Sequence, residues 1–239
     1  MENVQYTFKR YEKKYILTQA QYEKMYEALL DYMELDEYGR YTICNVYFDT
    51  DDYELIRTSL DKPDYKEKFR IRSYGVVAPE DMVFAEIKKK YDGVVYKRRI
   101  AVPWVDARDY VLDGKEVSAD LYSLAEMDEF MRRYELKPKV FIAYDREALM
   151  GREDPLLRLT FDHNLRWRDT DLNLCTSDEG IPIQVGEQYV IMELKVKDAA
   201  PLWLTDILSE YEIYLGSFSK YGTCYTNYLI KKVFAKMNT

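Results

Sequence analysis

The chain has 239 residues, 47% of them hydrophobic and 33% charged, with 43 acidic against 35 basic side chains and a formal net charge of −8. Such a composition belongs to a globular protein with a substantial core, and its acidity argues against duplex nucleic acid as the main partner, because phosphate neutralisation calls for a basic balance. No apolar run approaches the ~20 residues needed to cross a bilayer, and the opening "MENVQYTFKR" lacks the apolar core of a secretion signal, so a cytoplasmic location without direct membrane insertion is expected.

In chain order, an extended segment at 6–17 leads to a helix capped by Thr18, "QAQYEKMYEALLDYM", which sets Tyr22, Met25, Leu29, Leu30 and Met33 on one face. Strands are expected at 41–50, 66–75, 82–91 and 94–103. The last two flank "YDGVVY", whose Asp-Gly pair is the strongest short hairpin signal. Ser118 opens a second helix carrying Leu121, Leu124, Met127, Phe130 and Met131 on its apolar side. Strands at 138–148, 156–168 and 188–197 follow. Pro201 starts a third helix, "PLWLTDILSEYE", where proline suits the first turn, and a fourth, "YGTCYTNYLIKKVFAKM", closes the chain. Eight strands, mostly joined to their sequence neighbours by short connections, imply an α+β fold with an antiparallel sheet, and eight is a natural number for a closed β-barrel. No linker rich in Pro, Gly or Ser divides the chain, so one domain, 1–239, is expected.

Chemistry based on cysteine or histidine finds little support. Cys44, Cys175 and Cys224 are widely spaced, with no CxxC pair, and read as buried thiols. His163 is the lone histidine, which removes multi-histidine metal sites, and no nucleophile elbow accompanies it.

The informative pattern is an alternation. "KFRIRSYG" places Lys68, Arg70 and Arg72 on one strand face, with Phe69 and Ile71 on the other. The same two-faced pattern recurs with Arg10, Glu12 and Lys14; with Glu86, Lys88 and Lys90; with Lys97 and Arg99; with Arg158, Thr160 and Asp162; and with Glu193, Lys195 and Lys197. These faces lean basic, the reverse of the molecule as a whole. Gathered cations are destabilising unless an anion fills the space between them, and guanidinium and ammonium groups suit phosphate oxygens. The interspersed glutamates suit a hard divalent cation shared with phosphate. The expected arrangement is a barrel with apolar side chains outward beneath the helices and Lys and Arg directed inward.

In order, "RYEKKYIL", "YFDTDDYELI", "KFRIRSYG", "FAEIKKK", "VVYKRR", "YDREAL", "LRLTFDHNL", "IMELKV" and "FSKYGT" span essentially the whole chain. Together they resemble the triphosphate tunnel metalloenzyme (CYTH-like) superfamily, and within it the VTC catalytic domain, a polyphosphate polymerase. The resemblance implies phosphate contacts at Lys14, Arg70, Arg72, Lys88, Lys97, Arg146, Arg158, Lys195 and Lys220, with Arg70, Arg72, Lys88, Arg158 and Lys220 serving catalysis. It implies Glu193 as the ligand of Mn²⁺ or Mg²⁺, and ATP and inorganic polyphosphate as partners. Any coupling to a membrane falls to a separate partner. The wider superfamily often opens with Glu-x-Glu-x-Lys, whereas this chain reads Arg10-Tyr11-Glu12-Lys13-Lys14. The lost carboxylate tilts the reading toward the polymerase and away from its rivals, a triphosphatase of the same fold or a non-catalytic polyphosphate- or nucleotide-binding module.

Overall fold

A computed structural model describes residues 11–92, 94–184 and 189–232. Among the described residues ten antiparallel strands carry the fold: β1 (Tyr11–Thr18), β2 (Met33–Asp49), β3 (Tyr65–Tyr74), β4 (Met82–Tyr91), β5 (Val94–Pro103), β6 (Lys137–Gly151), β7 (Arg158–Arg168), β8 (Ile181–Pro182), β9 (Tyr189–Val196) and β10 (Leu215–Gly216). Hydrogen bonding orders them β10-β1-β9-β7-β6-β2-β3-β4-β5, with β8 on β7. The α+β class and antiparallel sheet match the expectation. The eight-stranded closed barrel does not, because two short strands are added, β10 at one end and β8 beside β7, and no pairing joins the end strands β10 and β5 among the described residues. Arg10 and the 6–10 part of the first expected strand lie outside the described residues.

The chain forms two compact units, each assembled from three segments. The first comprises residues 1–41, 145–163 and 184–218. Here α1 (Gln19–Leu29) begins at a capping box: Thr18 Oγ1 accepts from the Gln21 N–H, and the Gln21 side chain accepts from the Thr18 N–H. Met25 and Leu29 join Leu17, Leu159, Phe161, Met192 and Leu194 in one core, to which α5 (Leu202–Glu210) adds Leu204 and Leu208. The helix stops four residues earlier than its apolar spacing suggests. Leu30 is exposed at the C-cap, and Met33 is buried as the first residue of β2.

The second unit comprises residues 42–144, 164–183 and 219–239. Alternate residues of β3, β4 and β5 (Phe69, Ile71, Val83, Ala85, Ile87, Ile100 and Val102) form its core under α3 (Trp104–Asp113) and α4 (Leu121–Arg133). The register Tyr91↔Val94 confirms the hairpin, with Asp92 at φ 44°, the left-handed backbone that such a turn requires. Asp120, rather than Ser118, caps α4 by accepting from the Ser123 N–H, which leaves Leu121 exposed before the apolar face begins. Two short helices were not expected: α3 itself and α2 (Glu54–Leu60). The buried Asp49 carboxylate accepts from the Leu55 and Ile56 N–H groups at the start of α2. The chain then enters α6 (Lys220–Cys224) and a π-helical turn, Tyr225–Leu229. Cys44 and Cys224 are buried and Cys175 is half-buried, all as free thiols. No helix among the described residues is long and apolar enough to cross a membrane.

Candidate functional site

In the second unit the alternation becomes a ladder across three strands. Lys68, Lys88 and Lys97 stand in register across β3, β4 and β5; the next rung toward the sheet interior is Arg70, Glu86 and Arg99. Paired residues share a sheet face, so this face carries five cations around one carboxylate. Glu86 is only 1% exposed. Its Oε2 accepts from Arg70 Nε at 2.8 Å and its Oε1 from Arg99 Nε and Nη2 at 2.8 and 2.6 Å. Lys97 Nζ reaches the same Oε1 at 2.6 Å, and Arg72 Nε lies 3.8 Å from Oε2.

Burial alone would raise the Glu86 pKa, but Arg70, Arg72 and Lys97 together hold it well below the usual carboxylate range. Lys97 moves the other way. Burial, helped by the neighbouring Arg72 and Arg99, outweighs Glu86 and pulls its ammonium down to about 8.

Polar and aromatic groups orient the arginines. Arg72 Nε donates to Asn45 Oδ1 at 3.0 Å and its Nη2 to the Tyr144 hydroxyl at 3.2 Å. Arg70 Nη1 donates to the Tyr47 hydroxyl, and Tyr47 stacks on Tyr221. The Lys220 ammonium lies 4.2 Å from the Tyr144 ring centroid, a cation–π contact. Lys68 Nζ donates to Ser219 Oγ at 2.9 Å, the same oxygen that caps α6.

The first unit has its own cationic face. Lys14, Glu193 and Thr160 form one rung across β1, β9 and β7; Glu12, Lys195 and Arg158 form the next. Lys14 Nζ bridges Glu193 at 2.7 Å and Glu12 at 2.9 Å, while Lys195 approaches Glu193 at 3.0 Å. Burial works against both charges. Nevertheless Lys195, Lys14 and Arg146 drive the Glu193 pKa down, and Glu193 with Glu12 drives that of Lys14 up. Arg146 makes a two-pronged pair with the buried Asp162 at 2.6 and 2.8 Å.

Arg146, Arg158, Thr160 and Lys195 line a cavity of about 130 Å³. His163, three residues beyond Thr160 along β7, points to the opposite strand face. There its imidazole meets Tyr22 edge-on, with Nε2 3.4 Å from Glu147.

The structure therefore gathers Lys14, Arg146, Arg158, Lys195 and Glu193 in one unit, and Arg70, Arg72, Lys88, Lys97 and Lys220 in the other. Sequence reasoning did not single out Arg99, Tyr47, Tyr144 or Thr160. Arg99 and Thr160 carry the same period-two signal as their neighbours, whereas the two tyrosines are hidden among 24. As a metal site the donor set is sparse. No three Asp, Glu, His or Cys side chains converge among the described residues, and Glu12 and Glu193 are the two carboxylates meeting at Lys14. Such a pair fits a hard cation that takes its other ligands from water and phosphate, not a metal caged by protein alone.

The fold is similar to that of a candidate adenylate cyclase from Bacillus halodurans: 16% identity, TM-score 0.56, covering 87% of this chain and 92% of that one. It is also similar to a candidate adenylyl cyclase from Hippeastrum, described as having a dominant triphosphatase activity: 14% identity, TM-score 0.53, covering 89% and 93%. These likenesses show that the chain shares the fold of those two proteins. The VTC domain model matches residues 9–228, and the chain belongs to that family. No curated protein matches the sequence.

Proposed function

We propose that the protein is a polyphosphate polymerase that transfers the terminal phosphoryl group of ATP to a growing inorganic polyphosphate chain. The observation that carries this reading is the ladder around Glu86. In a chain of net charge −8, Arg70, Arg72, Lys97 and Arg99 all lie within 4 Å of one buried carboxylate. The positive surplus on that face is matched by a polyanion.

Phosphoryl transfer asks mainly for positioning and charge stabilisation. Arg70, Arg72 and Lys88 neutralise phosphate oxygens on their face, and Lys220 joins them above Tyr144. On the face of the first unit, Lys14, Arg146, Arg158 and Lys195 do the same. Glu193, with Glu12, would hold Mn²⁺ or Mg²⁺, which would supply positive charge against that of the transferring phosphoryl group.

A phosphate oxyanion attacks without a general base. That fits a face whose nearest histidine, His163, is turned away and held against Glu147. The test is incubation with ATP and Mn²⁺ or Mg²⁺, followed by gel electrophoresis and phosphorus NMR. Chains lengthening with time are expected; orthophosphate without polymer refutes the polymerase. The activity described for the Hippeastrum protein favours a triphosphatase as the second reading. Tight binding of triphosphate with no turnover would instead mark a non-catalytic binding module.

A further inference from the structure

Most polar side chains on the two cationic faces are already committed to partners. Thr160 is not. Its residue is 7% exposed, its Oγ1 is buried, and that oxygen makes no hydrogen bond. A buried hydroxyl without a partner carries a desolvation penalty, so native folds rarely keep one without a use.

Its position suggests the use. Thr160 sits in register with Glu193, two residues along β7 from Arg158, which pairs with Lys195. Thr160, Arg158, Lys195 and Arg146 all line the same cavity of about 130 Å³. Three cations and the Thr160 side chain therefore border one small space, with the idle hydroxyl buried just behind its wall. The volume is well below the ~300 Å³ at which pockets for drug-sized ligands begin and suits a single phosphoryl group.

The geometry points to Thr160 as a specificity-determining residue whose hydroxyl donates to an oxygen of one phosphoryl group, held in this cavity by Arg158, Lys195 and Arg146. The inference rests on the phosphate-binding reading above and deepens it. The charged groups attract any anion, whereas a neutral donor fixed on a strand selects for an acceptor oxygen at one place. The bound phosphoryl group restores the missing hydrogen bond, so the penalty carried by the free protein is released on binding.

The test compares Thr160→Val, which keeps the shape and removes the hydroxyl, with Thr160→Ser, which keeps the hydroxyl. Binding of inorganic tripolyphosphate and, separately, of ATP is measured by calorimetry, and the melting temperature of each ligand-free protein is recorded. Because a hydrogen bond to a charged group is lost, Thr160→Val is expected to bind tripolyphosphate about ten-fold more weakly. Thr160→Ser should stay within about two-fold of the parent. The ligand-free Thr160→Val protein should melt at or above the parent temperature, because the substitution removes an unpaired buried hydroxyl; a structural hydroxyl would give a lower one.

Weakening confined to tripolyphosphate assigns the cavity to the inorganic chain, and weakening of both ligands assigns it to a phosphoryl group common to the two. Equal tripolyphosphate affinities for the Val variant and the parent, or equal losses for Val and Ser, overturn the role of Thr160 and leave the broader reading intact. A parent protein that binds neither ligand overturns both.

Discussion

Glu86→Gln isolates the electrostatic logic of the ladder. The substitution keeps the shape but removes the one negative charge that Arg70, Arg99 and Lys97 share at 2.6–2.8 Å, and turns one of the two accepting oxygens into an N–H donor. Each cation at such a distance is worth several kcal/mol of raw Coulomb energy at an effective dielectric of ~20. The shares of Lys97 and Arg99 are discounted, because their side chains are 39% and 35% exposed. Arg70 and Arg72, at 19% and 10%, dominate. Breaking a buried pair from one side costs about 3–5 kcal/mol. For a chain of this size that lowers the Tm by roughly 6–20 °C, with the lower half of the range expected after the discount. Scanning fluorimetry or calorimetry reads the effect directly. The same argument demands a second result: tripolyphosphate takes over the role of the lost carboxylate, so it should stabilise Glu86→Gln by more degrees than it stabilises the parent. An unchanged Tm together with an unchanged tripolyphosphate shift would refute the claim that these cations need an anion among them.

Three further outcomes follow from the same faces. Lys97, held at about 8, loses its charge as pH rises through that value, so tripolyphosphate affinity should fall between about pH 7 and 9; Lys97→Arg, charged throughout, should flatten the slope measured by titration calorimetry. Glu193→Gln should reduce metal-dependent turnover by about 100-fold while tightening metal-free tripolyphosphate binding, because Lys14 and Lys195 are released from it; turnover at the parental rate would remove Glu193 from the metal site. Asp162→Asn strips the buried partner from Arg146 and should cost about 3 kcal/mol in chemical denaturation, an effect that vanishes if Arg146 finds water instead.

The strands were legible because the side-chain period of two is a local property. Phe69 and Ile71 declare the core face of β3 as plainly as Arg70 and Arg72 declare the polar one. What failed depended on distant residues. The helical spacing of α1 continues through Leu30 and Met33, yet Met33 is claimed by β2, whose first half, "ELDEYGRY", shows no clean alternation. The start of α2 is held by Asp49 on the preceding strand, six and seven residues before the amides it accepts from, a side-chain contact that apolar spacing does not reveal. In the sequence Arg146 has an acidic neighbour, Asp145. Successive strand residues point to opposite faces, however, so its two-pronged partner is Asp162 on β7, which the sequence alone could not place opposite it.

The two units solve the same problem differently. Around Glu86 both in-register neighbours are arginines, Arg70 and Arg99, so the carboxylate is enclosed by charge from either side. Around Glu193 one neighbour is Lys14 and the other is Thr160. A threonine in place of a third cation lowers the local surplus and leaves space, and that space is the cavity beside Arg158 and Lys195. A polyanion entering the first arrangement must compete with Glu86 for arginines already satisfied. One entering the second meets a hydroxyl with nothing to lose. Anion binding on the face of the first unit should therefore depend more on the placement of single donors, and on the Glu86 face more on total charge. Raising salt should weaken the second contribution far more than the first; Glu86→Gln enlarges the charge surplus and Thr160→Val changes no charge, so the salt dependence of tripolyphosphate binding should be steeper for Glu86→Gln than for Thr160→Val, and the opposite order would contradict the distinction.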